Sequence, residues 1–312
     1  MDSLLDPITI NQAEALGLQA RYVVDGYMSG EHKSPFRGFS IEFTQHREYV
    51  PGDDTRRLDW KVLGRTEKYF IKQYEQDTNY VAHILLDGSE SMQYGSGTRG
   101  GGPISKKLKP ARVSKFDYAR VMAACLSYLV LHQRDAVALG IFDQSVRQYV
   151  PRSSNLASIH TIMGTLSNFH PTQPTGIGEV LHGMSGQIKR RGIVIVISDL
   201  FDDEQKILDG LQHLRFGGSE VIVFHTMDPY ELEFPFAGNV EFTGLENTSQ
   251  IPPLRTRPAE IRKTYMTEMN AFRTRLKEGC ERNATHYVPV NTGSALSEVL
   301  TGYLVSRQRM AR

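Results

Sequence analysis

The chain has 312 residues, enough to bury a large core and more than the commonest domain length, so one big domain with an extension is expected. Lys plus Arg, at 36, nearly balance Asp plus Glu, at 35, which leaves no global field directed at nucleic acid or a membrane surface. Charged residues at 23% and hydrophobic ones at 40% exclude a disordered chain.

The first stretch, MDSLLDPITINQ, lacks the basic start and apolar middle of a signal peptide, and the longest apolar runs, such as Ile193 to Ile197, are strand length. A cytoplasmic location without direct membrane insertion is the expectation. Cys125 and Cys280 lie far apart and fit no metal or redox spacing, in keeping with a reducing compartment. Residues 1 to about 30 read as mainly helical, with Asn11 a plausible cap and Gly26 and Gly30 punctuating the end.

A denser stretch follows. Strand-like alternation around Phe39 to Phe43 leads to a Pro51-Gly52 turn, then Asp53, Asp54, Arg56, Arg57 and Asp59-Trp60-Lys61, and a second strand-like run from Tyr69 to Tyr74. So many opposite charges beside the single Trp predict an ion-pair lattice, since Arg forks bind carboxylates at two points. Either it clamps an N-terminal extension (1–77) to the main domain, or it faces a partner.

From Tyr80 strands and helices alternate. Tyr80 to Leu86 is the first strand, ending at Asp87. Residues 95–115 are rich in Gly, Ser and Lys, lack the aromatics of a nucleic-acid groove, and read as a solvated, mobile excursion that includes Lys115, with a basic binding arm as the alternative. Phe116, Ala119, Ala123, Leu126 and Val130 recur at helical spacing over 116–132. Ala136 to Phe142 and Val146 to Val150 form a hairpin. Two helices follow, marked by Ile159 to Leu166 and by Ile177 to Ile188. GIVIVIS, Gly192 to Ser198, has the uninterrupted apolar character of a central parallel strand and ends at Asp199. A helix through Leu214, a strand at Val221 to His225, an inserted hairpin or loop at 229–257, a helix from Pro258 to about Arg282, a strand at Thr285 to Val290 and a helix from Ala295 complete the chain. The fold class expected is α/β, a doubly wound, mostly parallel sheet over 78–312 with an N-terminal α+β extension.

Oxygen-bearing side chains gather at three loops on the carboxyl edge of this sheet: Asp87, Ser89 and Ser91 after the first strand, Thr175 before the Ile177 helix, and Asp199 after the central strand. One carboxylate and two hydroxyls in the first loop suit a hard cation such as Mg²⁺. Each residue also has a plainer reading. Asp87 could form a turn, Ser89, Ser91 or Thr175 could cap the next element, and Asp199 could be a strand-end acid with Asp202 capping the following helix.

Together, the Asp-x-Ser-x-Ser run, the Thr and the Asp resemble the metal-ion-dependent adhesion site (MIDAS) of von Willebrand factor type A domains. That resemblance implies Ser89, Ser91 and Thr175 as contacts to the ion, Asp87 and Asp199 as direct or water-mediated ligands, and Mg²⁺, or another divalent ion such as Mn²⁺ or Ca²⁺, as the cofactor. Neutral hydroxyls leave most of such an ion's charge uncompensated, so a carboxylate from a protein partner would be drawn to an open position.

REYVPGDDTRRLDWK, followed by RTEKYFIKQYEQDTNYVAHILLDGSESM, resembles the "domain of unknown function 58" proteins, which carry this signature just before a type A domain. The resemblance implies a protein often paired with MoxR-type AAA+ ATPases, in an adaptor or chaperone-like role. Many relatives have N-terminal membrane helices that this sequence does not show. The chain also lacks G-x-x-x-x-G-K-[ST], so it is not expected to be the ATPase, and no catalytic residue is assigned. The alternative is a Mg²⁺-dependent phosphohydrolase with Asp87 as nucleophile. Phosphatases of the haloacid dehalogenase kind need a second Asp two residues on, where this chain has Ser89. No G-x-S-x-G surrounds Ser89, and no His spacing fits zinc.

Overall fold

The computed structural model describes residues 42–48, 62–64, 68–75, 81–97, 109–111, 113–188, 192–245 and 252–310. The expected helix over residues 1–30 and the charged lattice at Asp53 to Lys61 lie outside these residues. The chain divides into two compact units, residues 36–80 forming one and residues 81–312 belonging to the other. In the first, β1 (Glu42–Glu48) pairs antiparallel with β2 (Phe70–Glu75), with a register irregularity between Phe43 and Gln45.

The second unit is mixed α/β around a six-stranded sheet. Its strands are β3 (Val81–Asp87), β4 (Ala136–Phe142), β5 (Val146–Ser153), β6 (Gly192–Ser198), β7 (Glu220–Met227) and β10 (His286–Asn291), in the order β10-β7-β6-β3-β4-β5. All neighbours run parallel except β5, which returns from β4 as an antiparallel edge strand. The helices are α1 (Lys115–His132), α2 (Ser158–Asn168), α3 (Ile177–Gln187), α4 (Glu204–Phe216), α5 (Pro229–Glu233), α6 (Pro258–Arg282) and α7 (Leu296–Met310). The segment between α5 and α6 carries a small hairpin, β8 (Val240–Phe242) with β9 (Leu254–Thr256).

The central strands are apolar at almost every position because both faces of the sheet are covered. Side chains alternate between faces along a strand. Leu85, Val194, Val196, Val221 and Val223 join one core with Ile177, Leu181 and Met184 of α3, Ile207, Leu211 and Leu214 of α4, and Leu276 and Cys280 of α6. Ile84, Leu86 and Phe224, one residue out of phase, are also fully buried, and Phe224 meets the Tyr303 ring of α7 at 5.1 Å. Both cysteines are free thiols in the interior. Among the described residues, no helix is long and apolar enough to cross a membrane.

Candidate metal centre

The chain leaves β3 for β4 and β5 on one side of the sheet, then comes back to β6, β7 and β10 on the other. The reversal falls between β3 and β6, and open α/β sheets take ligands beyond the carboxyl ends of the strands at such a switch point. Asp87 is the last residue of β3, and Asp199 directly follows β6.

The loop after β3 is packed tightly. Gly88 donates its N–H to the Phe142 carbonyl at 2.6 Å, and a Cβ at this position would collide with the Phe169 ring, so only glycine fits between Asp87 and Ser89. Ser89 N–H donates to Asp87 Oδ1 at 2.9 Å. Ser89 forms a parallel bridge with Gln173, whose carbonyl also accepts the Glu90 N–H at 2.8 Å. The loop carrying Thr175 is thereby stitched to the loop carrying the serines. A 3-10 turn over Glu90–Gln93 completes the motif. Beside it opens a cleft of about 410 Å³, bounded by Gln93, the first turn of α1 and Phe169 to Pro171.

Asp87 and Asp199 do make the turn contacts of strand-end acids, each accepting the N–H two residues on, but the capping roles open to Ser89 and Thr175 are not the ones seen. Ser89 stands at the N-cap of the 3-10 turn, but its side chain makes no capping bond; Gly176, not Thr175, is the N-cap of α3. The cap of α4 is Asp203, whose carboxylate accepts the Lys206 N–H at 3.0 Å. This corrects the expectation for Asp202, which instead accepts the Gly178 N–H at 3.4 Å and ties the start of α3 toward α4. Ser89 Oγ and Ser91 Oγ stand 3.0 Å apart, both buried. Two ligands on one edge of a Mg²⁺ octahedron, each about 2.1 Å from the centre, are about 3.0 Å apart. The two hydroxyls are hydrogen-bonded to each other, and the length of that bond also equals the spacing of two neighbouring ligands of a single small cation. Among the described residues, no three His, Cys, Asp or Glu side chains are grouped to hold a metal. The expected donor set contains only two carboxylates, with hydroxyls for the rest.

Asp87 is fully enclosed. Besides the Ser89 N–H, its carboxylate accepts a 2.6 Å bond from Ser198 Oγ to Oδ2. Burial pushes its pKa up to about 7, the nearby Asp199 charge adds to this, and the Ser198 and Ser89 bonds pull the other way. Ser198 was not singled out in the sequence. It sits at the end of β6, donates to Asp87 and accepts the Leu200 N–H at 2.9 Å. Leu200 adopts a left-handed φ of 56°, an uncommon conformation for a residue with a Cβ, and is held there by complete burial and by that bond.

Asp199 is also fully buried, with a different set of partners. Its Oδ1 accepts the Phe201 N–H at 3.3 Å, and its Oδ2 accepts the Lys115 ammonium at 2.7 Å. The ammonium also reaches Glu231 Oε1 at 2.7 Å. Lys115 thus corrects the sequence reading of 95–115 as wholly solvated: it is 1% exposed and opens α1. Burial opposes its charge, but Asp199 and Glu231 outweigh that and hold its pKa above the usual lysine range. Glu231 belongs to α5, where it and Asp228 form a capping box with Pro229 at the first helical position. Asp228 in turn accepts the Ser96 N–H and hydroxyl at 2.9 and 3.0 Å.

The family described as "Protein of unknown function DUF58" matches residues 45–275. The chain belongs to this family. This DUF58 chain is 25% identical over 248 residues to the uncharacterized proteins Rv1480 of Mycobacterium tuberculosis (strain H37Rv) and Mb1516 of Mycobacterium bovis, a span of 78% of this chain and 72% of each relative. Among solved structures it is similar to the conserved hypothetical protein BatB from Bacteroides thetaiotaomicron, with a TM-score of 0.46 and 15% identity. It is also similar to an aerotolerance-related membrane protein from Bacteroides fragilis, with a TM-score of 0.44 and 14% identity. Both likenesses cover 74% of this chain and 100% of the other.

Proposed function

We propose that this DUF58 chain is a metal-dependent protein-interaction module. Its site would be of the von Willebrand factor type A kind, with Asp87, Ser89, Ser91, Thr175 and Asp199 holding Mg²⁺ or a related divalent ion such as Mn²⁺ or Ca²⁺. The observation that carries this reading is the 3.0 Å separation of the two serine hydroxyls, neither used as a helix cap, at the switch point of the sheet. A divalent ion bound there would supply an electrophilic position for a carboxylate of a protein partner. Ser198 orients the Asp87 carboxylate, Gly88 lets the loop close against Phe169, and the Ser89–Gln173 bridge keeps the Thr175 loop in register with the serines.

The partner proposed is a MoxR-type AAA+ ATPase, with this chain as an adaptor. The alternative is phosphohydrolase chemistry through Asp87, against which stands Ser89 at the position two residues on where such an enzyme needs a second Asp as acid/base. The test is a Mg²⁺-dependent pull-down from native cell extract with wild type and Asp87→Ala. Enrichment of an AAA+ ATPase by the wild type alone, lost on chelation, is the expected result. Recovery of the same ATPase by Asp87→Ala without metal would remove the metal from the interaction.

A further inference from the structure

The Lys115 ammonium is fixed from every side. Lys115 N–H donates to the Tyr94 carbonyl at 2.8 Å, and Ser114 caps α1 by accepting the Asp117 N–H at 3.0 Å, which together hold the start of α1 in place. The ammonium lies 4.9 Å from the Phe201 ring centroid and 5.7 Å from that of Tyr94, and aromatic faces favour a cation. Its two carboxylate partners are anchored as well. Glu231 spends its second oxygen on the Asp228 N–H at 2.8 Å, and Asp199 spends its own on Phe201. The protein has therefore built a permanent positive charge against one of the two carboxylates expected to serve the metal.

We infer that Lys115 is an internal counter-cation that sets the metal affinity of this edge: by pairing with Asp199 it leaves Asp87, of the two carboxylates in the expected donor set, as the one whose charge is uncompensated toward a divalent ion. The inference rests on the metal-site reading given above and adds its regulation. A site with one uncompensated carboxylate holds a divalent ion weakly, and the ion keeps enough charge to want another anionic ligand. Metal and an acidic partner then bind cooperatively, each raising the affinity of the other, as linkage requires. A lysine that merely braced α1 against α5 and the β6–α4 loop would also be buried and paired, but metal affinity would not follow its charge.

A charge series on the full chain separates the two roles, with Mn²⁺ as the probe and the free-ion signal read by electron paramagnetic resonance at pH 8. Lys115→Met removes the cation and should tighten Mn²⁺ binding by about tenfold or more. Glu231→Gln keeps the helix cap, since Gln serves at that position, but commits the ammonium wholly to Asp199; it should weaken binding several-fold. Lys115→Met with Glu231→Gln removes one charge of each sign and should return the affinity to within about threefold of wild type. If Lys115→Met alone does not fold, the ordering of Glu231→Gln below both the double variant and wild type carries the test. Ser89-dependent binding with one affinity across the series, or a shift in the same direction for all variants, would overturn the role of Lys115 and leave the site standing. Wild type that binds no Mn²⁺, or binds it as well after Ser89→Ala with Ser91→Ala, would overturn the site and this inference with it.

Discussion

Asp87 and Asp199 end neighbouring parallel strands and are both fully buried, but the fold provides for them differently. At the β6 end a lysine from α1 meets Asp199 and is itself anchored by Glu231. At the β3 end the partners of Asp87 are neutral, the Ser89 N–H and hydroxyl and the Ser198 hydroxyl, and among the described residues no basic side chain pairs with it. One buried carboxylate is balanced from within, and the other is left to protonate near neutrality or to find a cation from outside. Burying a charge is costly unless it is paired, and on the proposed reading a divalent ion would relieve that cost at Asp87.

The largest expected effect comes from removing the internal cation. Lys115→Met should destabilise the metal-free fold by about 3–5 kcal/mol in urea unfolding, because two buried carboxylates lose their partner. Equal stability to wild type would mean that the ion pair counts for little. Next, Ser89→Ala with Ser91→Ala should weaken Mg²⁺ binding about a hundredfold by calorimetry, roughly 3 kcal/mol, while circular dichroism stays unchanged. In contrast to the lysine variant, Asp87→Asn should stabilise the metal-free protein at pH 8, on the order of 2 kcal/mol, since it removes a buried charge that nothing pairs. A loss of stability instead would show that Asp87 is already compensated.

The pH dependence follows with its sign. The folded pKa of Asp87, about 7, lies above its unfolded value of 3.8, so the folded state binds the extra proton between them. Its contribution to metal-free stability is therefore fully present below the unfolded pKa and lost as pH rises through about 7. A metal must displace that proton, so Mg²⁺ affinity should fall about tenfold for each unit of pH below about 7. A flat profile between pH 6 and 8 would contradict the assignment of Asp87 as a ligand. The smallest effect belongs to an exposed surface pair. Arg255→Ala breaks an exposed ion pair with Glu241 in the β8–β9 hairpin and should change stability by less than about 0.5 kcal/mol.

Much of this arrangement was legible in the sequence because it follows periodicity. GIVIVIS can only be a covered strand, the Ala-rich repeat from Phe116 gives α1, and the strand-end acids fall where the apolar runs stop. Lys115 was not legible. It closes a run of Gly, Ser and Lys whose composition signals solvent, and only the tertiary fold brings Asp199 and Glu231, 84 and 116 residues on, to its ammonium. Glu231 did carry a local signal in Asp228-Pro229-Tyr230-Glu231, a capping box with proline at the first helical position, but the surrounding prolines read as a loop. Ser198 was hidden because a hydroxyl ending an apolar strand looks like punctuation. Its role exists only once β6 lies beside β3.

The most direct test of the metal centre is an Mn²⁺ titration of the full chain at pH 8, wild type beside Ser89→Ala with Ser91→Ala. Saturable binding to one site in the wild type, about a hundredfold weaker in the variant with an unchanged fold, is the predicted result. Binding of equal strength in both proteins would contradict it.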